Sequence, residues 1–248
     1  MNFSKQVKTP LLPEVKQVVD NVQLDLTPRR YRTKIKKWLL PVVDLSEFYV
    51  YPTNGITEGL NWWAGTSSYK IWREVGEYEW VDHKTSGMYP TTTYQSTPSA
   101  IDGNFRNSLA DGPVALDLAY VGTTAIRQIE LTKNVHTVFY GLSKPFGING
   151  IRTGWLFTRK RNDKLHNLIY NNNYYNYYST AVAEAIIENF LVDFIHKKFY
   201  NKQKEICEQF KLTPSDSVFL ATATNEEYKD YIRKDVARLC LAEYYIDE

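Results

Sequence analysis

Apolar and polar positions alternate along this chain in short blocks, and the period of each block predicts an element. Apolar residues three and four apart predict helices over 13–22 and 29–40. Short blocks rich in aromatic, β-branched and other apolar residues predict strands at 48–51, 69–74, 88–95, 114–117, 137–142 and 152–158. A short helix opens at 54–60 and closes near Ala64 and Gly65, and longer helical periods cover 160–169 and 180–200. After Lys211 the texture changes to a strand at 217–223, a helix at 226–234 and a strand at 236–242. Short strands alternating with helices predict a layered α/β fold, with a mostly parallel central sheet and flanking helices. The tail predicts a reduced C-terminal α+β domain. The division expected is a helical segment at 1–44, a large domain at 45–205 and a small domain at 206–248.

Composition narrows the function classes without choosing among them. The 248 residues are 43% hydrophobic, enough for a substantial core. Thirty basic and 28 acidic side chains give a net charge of +2, which implies no polyanionic partner such as nucleic acid. Cys207 and Cys240 have neither metal spacing nor a disulfide framework, and His83, His136, His166 and His196 are scattered, so a metal-dependent mechanism finds no support. No apolar signal region opens the chain and no run reaches membrane-spanning length, which makes the cytoplasm the expected location. Aromatic content is high, and the densest patch, 171–178, reads Asn-Asn-Asn-Tyr-Tyr-Asn-Tyr-Tyr. It suits an exposed loop or a surface that meets a partner.

Chemistry concentrates at 141–154, Gly-Leu-Ser-Lys-Pro-Phe-Gly-Ile-Asn-Gly-Ile-Arg-Thr-Gly. Lys144 ends an apolar run, where a free ammonium is costly to bury, and Arg152 follows eight residues later across two glycines. The pattern supplies a nucleophilic amine, a backbone that can approach a ligand, and a planar cation for an oxyanion. Upstream, 113–120 reads Pro-Val-Ala-Leu-Asp-Leu-Ala-Tyr, with Asp117 at a strand's carboxyl end, 27 residues before Lys144. Asn54-Gly55-Ile56-Thr57 follows a strand and opens a helix, a place where unpaired N–H groups form either a plain N-cap or a phosphate site. Arg238 lies inside the apolar run Val-Ala-Arg-Leu-Cys-Leu-Ala, where it either meets an anion or snorkels to water from an edge strand.

Residues 143–154 resemble the cofactor-lysine signature of the class I/II aminotransferases, the fold-type I pyridoxal-phosphate enzymes. The resemblance implies that Lys144 carries pyridoxal 5′-phosphate as a Schiff base and that Arg152 clamps its phosphate. It implies that Asp117 holds the ring nitrogen protonated, that Tyr120 bonds the 3′-oxygen, and that the backbone of Gly55, Ile56 and Thr57 cradles the phosphate. Arg238 would grip the substrate α-carboxylate, and Tyr78 or Trp80 would stack on the ring. The 171–178 patch would run along a homodimer interface. The implied reaction is amino-group transfer between an amino acid and a 2-oxo acid. The same constellation also serves decarboxylases and lyases, or a non-catalytic cofactor-binding homologue. Two positions depart from the family's pattern. Ala100 stands where an asparagine helps hold the 3′-oxygen, and Gly141 where many members have a phosphate-binding serine. The chain is also shorter than usual members.

Overall fold

The computed structural model describes residues 3–23, 31–66, 70–84 and 91–245. Its larger sheet has six strands: β1 (Tyr49–Thr53), β2 (Lys70–Arg73), β3 (Thr91–Ser96), β4 (Val114–Asp117), β5 (Val135–Gly141) and β6 (Gly154–Thr158). They lie in the order β1-β6-β5-β4-β3-β2. Neighbours from β2 to β5 are parallel, and β6 runs antiparallel to both β1 and β5. The expected mostly parallel sheet is therefore present.

Burial explains the composition of its central strands. Every residue of β4 is buried, as expected for an inner parallel strand covered on both faces. Successive side chains alternate between the faces. Val114, Leu116, Val138, Tyr140 and Phe157 join one apolar cluster, while Tyr51, Ala115, Phe139 and Leu156 join the other. On the first side pack α1 (Pro13–Asp20), α2 (Tyr31–Leu39) and α6 (Tyr177–Asn189). On the second lies α3 (Ile56–Thr66), which rests on β5 and β6. Helix α1 starts with proline in its first turn and buries Val15 and Val19. Two one-turn helices, α4 (Ser143–Phe146) and α5 (Asp163–His166), complete this part, with α5 running on into a π turn at Asn167–Asn171.

A second, antiparallel sheet is formed by β7 (Thr213–Pro214), β8 (Leu220–Ala223), β9 (Ile232–Arg233) and β10 (Val236–Cys240), in the order β7-β8-β10-β9. Helix α7 (Phe194–Phe210) packs against it and passes through position 206. The N-terminal segment joins the same sheet, because Ser4 bridges Cys240.

Several elements differ from expectation. The helix expected over 180–200 is two helices, broken at Phe190, whose backbone is extended and whose carbonyl accepts from Trp38 Nε1 at 2.7 Å. Ile186 and Ile195, both fully buried, are nine residues apart, which at about 100° per residue lie on opposite faces of one helix. Only a break lets both enter the core. The helix expected over 226–234 is a 3-10 turn, Glu226–Tyr231, and Arg233 belongs to β9 instead. Strand β6 starts at Gly154, since Arg152 takes a positive φ of 60° that no strand residue adopts. The first residues of the strand expected at 88–95 and of the helix expected at 29–40 lie outside the described residues. Among the described residues, no helix is long and apolar enough to cross a membrane.

Candidate active site

Strand direction brings the chemistry to one edge. Because β1, β4 and β5 point the same way, the turns after them share the carboxyl edge of the sheet, where ligands gather in α/β folds. Gly55–Thr57 follows β1, Asp117 ends β4, and Lys144 lies in the turn after β5. The antiparallel β6 enters from the same edge, so Arg152 joins them. A cavity of about 550 Å³ opens there. Gly55, Ile56, Thr57, Tyr78, Asp117, Tyr120, Lys144, Arg152 and Arg238 all line it. Trp80 does not; its Nε1 donates to Asn61 Oδ1 at 3.1 Å.

Asp117 is buried, with its carboxylate accepting from Tyr94 Oη and from the Ala119 N–H at 2.8 Å. Burial raises its carboxyl to about pH 6 despite those two donors, and buried Glu77 pushes the same way. Tyr94 stands on β3, where Ser96 is the register partner of Asp117. Lys144 donates from Nζ to Val7 O at 3.0 Å, and burial lowers its ammonium below the ordinary lysine value. Tyr120 is buried, and desolvation raises its phenol against the pull of Arg238. Arg238 is buried on β10 without a carboxylate partner among the described residues. Its Nη1 donates to Ala100 O and, at 3.5 Å, to Tyr120 Oη, while Nη2 donates to Lys5 O at 2.6 Å.

The remaining corner is arranged for an anion. Arg152 has a left-handed backbone, a conformation that costs about 1–2 kcal/mol for a residue with a Cβ. Its guanidinium makes no hydrogen bond or ion pair among the described residues and lies against Gly55, where an added Cβ would sit 3.0 Å from Nη2. Among the described residues, the hydroxyls of Ser143 and Thr153, buried in the same cavity, also have no hydrogen-bond partner. Thr57 Oγ1 and Tyr78 Oη are 3.0 Å apart. One exposed cation, two orphaned hydroxyls and the start of α3 thus converge, an arrangement that fits a phosphate group. A protonated aromatic nitrogen beside Asp117 would supply the close ion-pair partner that its carboxylate does not have among the described residues.

Sequence reasoning missed Ser143, Thr153, Tyr94 and Arg233. Ser143 and Thr153 flank the two residues singled out, Lys144 and Arg152, so their hydroxyls were legible as neighbours. Tyr94 shows itself only through strand register. Where Ala100 lacks an amide side chain, its backbone carbonyl receives Arg238, and its N–H donates to Ser96 Oγ at 2.7 Å. Ser96 Oγ in turn donates to buried Glu77 at 2.6 Å.

No known family profile matches the chain, and no curated protein matches it by sequence. Solved structures do match. A pyridoxal-phosphate-bound C-S lyase from Staphylococcus hominis superposes with a TM-score of 0.69 at 10% identity, over 97% of this chain and 86% of that one. An aminotransferase from Staphylococcus aureus gives 0.63 at 11% identity, over 98% and 90%. L-threonine-O-3-phosphate decarboxylase from Porphyromonas gingivalis gives 0.64 at 13% identity, over 98% of both chains. These likenesses, over nearly the whole of this chain, show its fold: it is that of the fold-type I pyridoxal-phosphate enzymes.

Proposed function

We propose that this chain is a pyridoxal-phosphate-dependent enzyme that transfers an amino group between an amino acid and a 2-oxo acid. The observation that carries the reading is the convergence, in one cavity, of a lysine of lowered pKa, a buried aspartate and an unpaired arginine beside a glycine turn. Neighbours of this fold include C-S lyase and decarboxylase as well as aminotransferases, so the reaction type rests on the experiment below.

In this reading Lys144 holds the cofactor covalently, and Asp117 faces the ring nitrogen. Arg152, the Gly55–Thr57 turn and the hydroxyls of Ser143 and Thr153 receive the phosphate. Tyr120 serves the phenolic oxygen, and Tyr78 is the aromatic side chain that faces the ring. Bound pyridoxal phosphate supplies an electron sink for the bond broken at the substrate α-carbon. Burial leaves more of the Lys144 amine in its free-base form near neutrality, which suits it to attack a carbonyl and later to move a proton at the α-carbon. Asp117, at about 6, is mostly ionised at neutral pH and keeps the ring nitrogen charged. Arg238 receives the α-carboxylate, which replaces the Lys5 carbonyl as partner of Nη2. The segment around Lys5 and Val7 walls one side of the cavity and withholds water. A second copy of the chain is proposed to border the site at the tyrosine-rich segment. Asn176 Nδ2 there donates to Asn54 Oδ1 at 3.1 Å, and Tyr174 and Tyr178 are exposed.

The test is a half-reaction. Purified protein loaded with pyridoxal phosphate is mixed with single amino acids, and conversion of the cofactor to pyridoxamine phosphate is followed by absorbance. Reversal is then sought with 2-oxoglutarate, pyruvate or oxaloacetate. Conversion in both directions is expected. Release of carbon dioxide or a thiol, with the cofactor regenerated without any 2-oxo acid, would assign decarboxylase or lyase chemistry instead.

A further inference from the structure

Arg238 shares its hairpin with a second guanidinium. Val236 is the register partner of Arg233, so both side chains lie on one face of the hairpin, and Arg238, two residues on, returns to that face. Both arginines line the cavity. Arg233 is half-buried, and its Nε donates to the carbonyl of Gly76 at 2.5 Å. Its two Nη nitrogens have no hydrogen-bond partner among the described residues, and no described carboxylate ion-pairs with it. Three other arginines do have carboxylate partners. Arg106 is paired with Glu74 and Glu77, Arg159 with Glu47, and Arg161 with Asp163.

A guanidinium partly removed from water beside another cation is costly to keep without an anion, and its planar fork suits a carboxylate or a phosphate. Of the charged side chains lining the cavity, Lys144, Asp117, Arg152 and Arg238 already have roles. Three remain: Arg233, and Lys5 and Glu79, which are both exposed. The unassigned wall therefore has two cations against one solvated acid. Arg233 is the one of these anchored by a backbone contact.

We infer that Arg233 forms a second anion subsite, and that the substrate is an amino acid whose side chain ends in a carboxylate or phosphate group. This rests on the proposed role of Arg238 as receptor for the α-carboxylate. The pair then reads the two ends of a doubly anionic substrate from one rigid hairpin.

Unreactive acids test it without turnover. Binding of succinate, 3-phosphonopropionate and propionate to the cofactor-loaded protein is measured by calorimetry. At least one diacid should bind about tenfold or more tighter than propionate, and the tighter of the two names the distal group. Arg233→Gln should remove that advantage and leave propionate unchanged, while Arg238→Gln should weaken all three. Arg233→Lys, which keeps the charge, should retain part of the preference at an unchanged melting temperature and replaces the glutamine variant if that fails to fold. Diacids no tighter than propionate, or an Arg233→Gln loss equal for all three acids, would overturn the inference. If the protein takes up no cofactor, the proposed function fails separately. The same titrations on the cofactor-free protein still decide Arg233.

Discussion

The sheet end of the cavity and its hairpin end both present arginine side chains but are assembled differently. At the sheet end, Asp117, Lys144 and Arg152 come from the ends of β4, β5 and β6, within 36 residues of one another (117 to 152, counted inclusively), on strands that are almost wholly buried. Their positions follow from hydrogen-bond register and strand direction. At the hairpin end, Arg233 and Arg238 are met by the backbone of residues 5, 76 and 100, from three segments far apart in sequence. The first end is fixed by local geometry and suits a resident group. The second borrows carbonyls that a ligand can replace, which suits a group that comes and goes.

The largest expected effect lies at the sheet end. Asp117→Asn keeps the shape but removes the charge facing the ring, and the proton-transfer half-reaction should slow by about 10²–10³-fold, the scale of losing a key electrostatic partner. Stopped-flow absorbance with a fixed amino acid measures it. An unchanged rate would move the ring partner elsewhere.

The same residue predicts a pH dependence for the cofactor-free protein. Folding raises the Asp117 carboxyl from an ordinary 3.8 to about 6, so the protonated form is the one the folded state favours. Its contribution is whole below pH 4 and is lost as pH rises through 6. Between those limits wild type should lose about 3 kcal/mol relative to Asp117→Asn. Urea denaturation of both proteins across this range reads the difference, and a pH-independent gap would contradict the buried, raised carboxyl.

At the hairpin end, Arg238→Lys replaces a planar fork by a point charge. Amino-acid binding should weaken by about thirtyfold, equivalent to about 2 kcal/mol, with the cofactor's absorption spectrum nearly unchanged. Simple amines without a carboxylate should bind almost as before. Equal losses for both, with a lower melting temperature, would make Arg238 a structural strand residue.

The smallest effect expected is that of Tyr94→Phe. It deletes one donor to the Asp117 carboxylate, which should raise that carboxyl further and slow the half-reaction by about tenfold, within the usual worth of a hydrogen bond to a charged group. A shift of the acid limb of the rate profile to higher pH distinguishes this from simple loss of packing.

The contrast between the two ends also explains what could be read from the sequence. The sheet strands announced themselves through short blocks of aromatic, β-branched and apolar residues, and the lysine segment through glycine spacing, because both are local. The break at Phe190 was invisible, since neither proline nor glycine marks it. It is set by the need to bury Ile186 and Ile195 together and by a hydrogen bond from Trp38. The polar composition of 226–234 is compatible with a helix and predicts one through Arg233. Its strand conformation comes from pairing with Val236. Tyr94 and the carbonyls of Lys5 and Gly76 act across long sequence separations, which no local pattern encodes.

Everything proposed for the cavity depends on Lys144 being the residue to which the cofactor attaches. Protein incubated with pyridoxal phosphate is reduced with borohydride, digested, and mapped by mass spectrometry. A single pyridoxyl adduct on Lys144, absent from Lys144→Ala, is the result expected. An adduct on a different lysine, or none after saturating incubation, would contradict the account.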